Sequence, residues 1–88
     1  MTASMRIAFR VRAVDGECQP VPDLEIGARF HYPASPSTWS VEKTDAEGYA
    51  RFDDEHREAP REACLFVGGE QCCTIAPVEP GGCHILEL

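Results

Sequence analysis

Five cysteines, at positions 18, 64, 72, 73 and 83, and three histidines, at 31, 56 and 84, carry the richest chemistry in this chain. Thiolates and imidazoles bind metals, and paired thiols close disulfides. An odd number of cysteines leaves at least one thiol unpaired within a monomer. No Cys-x-x-Cys spacing occurs, so the signature of a zinc ribbon is absent. Gly68-Gly69 reads as a two-residue hairpin turn. Counting outward from that turn, Val67 faces Glu70, Phe66 faces Gln71, Leu65 faces Cys72 and Cys64 faces Cys73. The last pair falls at a non-hydrogen-bonded position, where cross-strand side chains approach most closely. Cys64 and Cys73 are then small buried hydrophobes beside Phe66 and Ile75, a disulfide, or two ligands on one metal. Adjacent strand residues point to opposite faces, which separates Cys72 from Cys73 and Cys83 from His84. A metal site of Cys72, Cys83 and His84 needs all three at one end of the fold. A last hairpin with Ala76 near Cys83 instead places Cys72 at the far end.

Other groups offer binding chemistry. His31 and Tyr32 precede Pro33, and Trp39 lies across the loop that follows. An imidazole and two aromatic faces at a loop mouth suit a sugar or another small ligand, although a Trp in such a sandwich is more often a core residue. Asp53-Asp54-Glu55-His56 is the densest polar cluster, but it lacks the Gly and terminal Glu of a calcium loop and reads as solvated surface. No nucleophile-elbow motif and no phosphate-cradling glycine loop is present.

The elements that must position these groups read as strands. Ile7, Phe9, Val11 and Ala13 alternate with Arg6, Arg10 and Arg12, the period of a half-buried strand over 5–14. Asp15-Gly16 ends it with turn chemistry. Leu24, Ile26, Ala28 and Phe30 alternate over a second strand to His31. Residues 38–44 form a third, with Trp39 and Val41 inward. Asp45-Ala46-Glu47-Gly48 is a tight turn with Gly48 at positive φ, and 49–52 is the fourth strand. Residues 53–62, polar and containing Pro60, read as a loop or at most one helical turn. Strands over 63–67, 71–76 and 83–88 follow, the last separated by a loop over 77–82 and directing Leu86 and Leu88 inward. This is an all-β pattern: a seven-stranded antiparallel β-sandwich with no substantial helix. Residues 1–5 read as a disordered tail and 6–88 as one domain.

The chain of 88 residues has a formal charge of −7 and a single Lys, at position 43. The charge argues against nucleic acid as a partner, because phosphate binding needs clustered cations. No apolar stretch approaches the roughly 20 residues of a membrane-spanning helix. No apolar segment of a secretory leader follows Met1, so the expected location is cytoplasmic, or secreted if a leader was removed.

The order of these signals resembles the transthyretin-like (prealbumin-like) superfamily, and within it the carboxypeptidase regulatory-like modules. The match is carried by Asp15, Gly16, Pro20, Val21, Pro22, Thr44, Asp45, Gly48, Tyr49 and Phe52, and the resemblance runs from Arg6 to Leu88. Where the pattern has Gly after the second Pro, this chain has Asp23. The resemblance implies an Ig-like, prealbumin-like Greek key; the fold-defining turns in this chain are Asp15-Gly16 and Asp45 to Gly48, together with the Gly68-Gly69 hairpin read above. It also implies an accessory or ligand-presenting module, not an enzyme. The superfamily's 5-hydroxyisourate hydrolases carry a His in the first strand and end in Tyr-Arg-Gly-Ser. This chain has neither, so none of their catalytic residues carries over.

The expectation is therefore a non-enzymatic binding or scaffolding module without a cofactor. It would engage an unknown protein, or itself as a homodimer, through loops or an exposed strand edge. The alternative is a metal-binding or redox-responsive protein using Cys64, Cys72, Cys73, Cys83 and His84.

Overall fold

The computed structural model describes residues 5–76, 78–79 and 81–88. Residues 1–4, most of the expected tail, and Pro77 and Pro80 of the expected loop lie outside them, whereas Met5 already belongs to the first strand. Seven strands and no helix are present among the described residues: β1 (Met5–Val14), β2 (Glu25–His31), β3 (Thr38–Lys43), β4 (Tyr49–His56), β5 (Glu62–Val67), β6 (Glu70–Ile75) and β7 (Cys83–Glu87). They make a three-stranded sheet, β4-β1-β7, and a four-stranded sheet, β3-β2-β5-β6.

The two sheets share one core because each strand contributes its apolar alternate positions to it. Ile7, Phe9, Val11 and Ala13 of β1 meet Ile26, Ala28 and Phe30 of β2, with Ala50, Phe52, Ala63, Leu65, Ile75 and Leu86 closing around them. Phe9 is the centre: its ring stacks on Phe52 at 5.6 Å and meets Phe30 of the opposite sheet edge-on at 5.9 Å. Arg6, Arg10 and Arg12, the other parity of β1, stay on the outer face. Tyr49 lies beneath two of them, with the guanidinium groups of Arg10 and Arg12 at 5.1 and 5.2 Å from its ring centre.

The turns follow from local hydrogen bonding. The Asp15 carboxylate accepts the N–H groups of Glu17 and Gln19, and that of Asp45 accepts those of Glu47 and Tyr49. Gly48 has φ of 84°, and a Cβ there would lie 2.6 Å from the Ala13 carbonyl oxygen, so this turn admits only glycine. Asp23 takes φ of 56°. The departure from glycine thus sits at a left-handed backbone position, which Asp tolerates better than most residues. Thr44 is buried between the turn and the strands. Its hydroxyl donates to the Val21 carbonyl at 2.7 Å and accepts the Leu24 N–H at 2.8 Å.

Several sequence expectations are corrected. The strands are not all antiparallel: β7 runs parallel to β1, pairing Arg10 with Cys83 and Val14 with Glu87. Alternation within a strand gives its faces but not its neighbour. Since β6 lies in the opposite sheet, the chain crosses over before β7 and makes no hairpin with it, so Ala76 does not face Cys83. Residues 53–56 are strand, not loop or helical turn, because the long β1 offers Met5–Ala8 as pairing partners and the ladder overrides the poor strand propensity of Asp and Glu. Trp39 and Val41 are outward, 51% and 43% exposed. The register pairs Thr38 with Phe30 and Ser40 with Ala28, so the polar residues of β3 share the inward parity. Leu86 is buried as expected, but Leu88 is 49% exposed beyond the end of β7.

Candidate functional site

The outer face of the four-stranded sheet gathers most of the residues singled out by their chemistry. β3 is an edge strand, bonded to β2 alone. On its outer side Trp39 reaches over β2, where Gly27 leaves the space: a Cβ at Gly27 would lie 2.4 Å from the indole. Phe66 of β5 meets the indole edge-on at 5.2 Å, and the Arg29 guanidinium sits 5.7 Å from its ring centre. Trp39, Val41, Phe66 and Val67 border an open groove of about 570 Å³ at the Gly68-Gly69 end of the sheet. Three glycines serve this end in different ways. Gly68 and Gly69 take φ of 62° and 83° in the hairpin, while Gly27 supplies room for the indole.

At the other end of the same face, His31, Glu62 and Cys64 converge. The register places His31 directly opposite Glu62, and Cys64 follows two residues further along β5. One ligating atom from each lies within 4.8 Å of the others. Cys64 is buried, with Sγ 3.7 Å from the Thr74 hydroxyl.

The expected cysteine pair is displaced. A β-bulge between Leu65 and Phe66 shifts the β5–β6 register by one, so Cys64 faces Thr74 while Cys73 faces Leu65. All five cysteines are free. Burial, with the neighbouring thiols Cys72 and Cys64 adding to it, pushes the Cys73 thiol up, which keeps it protonated at neutral pH. Cys72 is exposed on β6, Cys83 is exposed on β7 in the other sheet, and Cys18 lies in the first turn. His84 turns inward, edge-on to Phe9 at 5.9 Å, with Nε2 buried and unpartnered among the described residues. Cys72, Cys83 and His84 therefore form no common cluster.

The expected ligand mouth of His31, Tyr32 and Trp39 divides. His31 and Trp39 share the outer face, while Tyr32 is buried in the core. Tyr32 stacks on His56 with centroids 3.8 Å apart, and its hydroxyl lies 3.3 Å from that of Thr38. The acidic cluster divides too, by strand alternation. Asp53 lies outward near Arg6 and Arg51 at 3.6 and 3.7 Å, whereas Asp54 and His56 lie on the inward parity. Asp54 keeps a buried Oδ2 without a partner among the described residues, and burial pushes its carboxyl up despite the opposing influence of His56. A carboxyl raised in the folded state favours folding only at low pH, and that contribution is lost as pH rises through the raised value. Asp54→Asn should therefore raise the melting temperature at pH 7. The gain should shrink as pH falls through the carboxylate range, as thermal melts across that range would register.

A second concavity, of about 310 Å³, lies on the three-stranded sheet between Arg10, Arg51, Gly81 and Gly82. Its two arginines are direct cross-strand partners.

Glu62 and Arg51 were not singled out by sequence reasoning. Glu62 lay in a segment read as a polar loop or at most one helical turn, and its only local signal is the Glu-x-Cys spacing that puts two ligating groups on one strand face. No protein-family model, curated protein or solved structure matches this chain.

Proposed function

We propose that this chain is a non-enzymatic binding module that pairs with another β-strand along the β3 edge, and that a second copy of the chain is its partner. The observation that carries the reading is Trp39, half-exposed on an edge strand beside Val41. Edge strands present unpaired backbone groups, and β-augmentation draws affinity from that backbone and specificity from alternate side chains.

The sequence of β3 is self-complementary. Antiparallel pairing of two copies about a two-fold axis at Ser40 sets Trp39 of each opposite Val41 of the other, all on the outer face. Aromatic–β-branched pairs of this kind contribute roughly 0.2–1 kcal/mol each. The contact is small, so the association is weak and concentration-dependent. The resemblance to prealbumin-like Greek-key modules, which serve as accessory and scaffolding units, supports the same reading. So do the turn residues Asp15, Asp45 and Gly48, which close the turns that resemblance describes.

Sedimentation equilibrium between about 1 µM and 1 mM tests it. The wild type should move from monomer toward dimer across that range. Trp39→Glu should weaken the association about tenfold with the monomer still folded, because the indole lies outside the shared core. A wild type that stays monomeric throughout, or a Trp39→Glu variant that dimerises equally well, would refute the proposal.

A further inference from the structure

The geometry points to a divalent-cation site of the zinc type formed by His31, Glu62 and Cys64. These are a nitrogen, an oxygen and a sulfur donor, the set that zinc and cobalt(II) accept and that magnesium and calcium do not. Their placement follows from the ladder. His31 ends β2, Glu62 begins β5 directly opposite, and Cys64 shares the face of Glu62 because strand side chains repeat every second residue. The Arg61 N–H donates to the His31 carbonyl at 2.7 Å, which fixes the start of β5 against the end of β2.

The three donor atoms already lie within 4.8 Å of one another. Zinc bonds of about 2.0–2.3 Å in a tetrahedron set donors roughly 3.3–3.8 Å apart, so about an ångström of closure is needed. The flexible Glu62 side chain can supply it. His31 and Glu62 are half-buried and Cys64 is buried, which leaves the fourth position facing solvent, for water or an added ligand.

The surroundings suit a cation. The Glu62 carboxylate and a Cys64 thiolate together neutralise a doubly charged ion. Arg29 is the cross-strand partner of Cys64, but its guanidinium is held over the Trp39 ring. The Thr74 hydroxyl, 3.7 Å from Sγ, can donate to the thiolate and orient it. The metal would clamp the end of β2 to the start of β5, with each thiol or imidazole proton released to solvent on binding.

Cobalt(II) added to the reduced full-length chain is the test, read by the thiolate-to-cobalt charge-transfer band and by the bound stoichiometry in native mass spectrometry. One equivalent should bind, and zinc should displace it. The band should persist when Cys18, Cys72, Cys73 and Cys83 are all changed to Ser, and vanish in Cys64→Ser. His31→Gln alters a half-buried residue outside the core and should weaken cobalt at least tenfold with the fold intact. A missing band in the wild type would overturn the site. So would a band that survives Cys64→Ser, one lost with the other four cysteines, or unchanged affinity in His31→Gln.

Discussion

Phe9→Ala is expected to lower stability by about 3–5 kcal/mol, the cost of a large cavity at a fully packed aromatic position. The ring is only 1% exposed; it joins the two sheets through Phe30, stacks on Phe52 of its own sheet and covers His84. Small domains have total stabilities of about 0.05–0.15 kcal/mol per residue, so this loss consumes much of what an 88-residue chain holds. The melting temperature should fall by roughly 15–30 °C. Near-ultraviolet circular dichroism during thermal unfolding would register it. Ile85→Ala is the control, since that side chain is 62% exposed on the edge strand β7 and should change stability by no more than about 0.5 kcal/mol. Equal effects from the two substitutions would mean that the core is not centred on Phe9.

Thr44→Val should cost about 2–3 kcal/mol although it preserves shape. Val cannot accept the Leu24 N–H or donate to the Val21 carbonyl, and two backbone groups left unpaired at a part-buried position each cost toward the low end of about 1–3 kcal/mol. The damage should extend beyond one contact. Thr44 also pairs its own backbone with the same segment, accepting the Asp23 N–H at 3.1 Å and donating to the Leu24 carbonyl at 2.9 Å. Thr44→Ser keeps the hydroxyl and should recover most of the loss in urea unfolding. A Val variant as stable as the Ser variant would show that the hydroxyl contributes little.

These two residues illustrate what was legible in the sequence. Phe9 stands in a clean period-two run and was placed by local pattern, whereas Thr44 was read as the last residue of the third strand, which ends at Lys43, and its burial was not foreseen. All seven strands were legible for the same reason. Their neighbours were not, because alternation is blind to partner and direction. The parallel seating of β7 beside β1 and the extension of β4 through His56 depend on which strand lies next door. The inversion of β3 has a related cause. Hydrophobicity predicted Trp39 inward, yet the register sets it opposite Arg29 and the small Gly27 makes an outer berth for it.

The candidate sites were legible in part. His31 and Cys64 were singled out separately, one as a ligand-contacting residue and the other as a disulfide or metal residue. Their meeting depends on β2 pairing with β5, a contact between segments about thirty residues apart that no local spacing encodes. The bulge at Leu65/Phe66 then undid the inferred Cys64–Cys73 pair, since one extra residue in a ladder changes every partner beyond it.

Amide hydrogen exchange of the wild type, at a dilute and at a near-millimolar protein concentration, tests the central claim most directly. Association through β3 predicts that amides between Thr38 and Lys43 which point away from β2 slow at high concentration, while the other sheet edges, β4, β6 and β7, exchange as before. Exchange along β3 that is independent of concentration, or protection appearing on another edge instead, would contradict it.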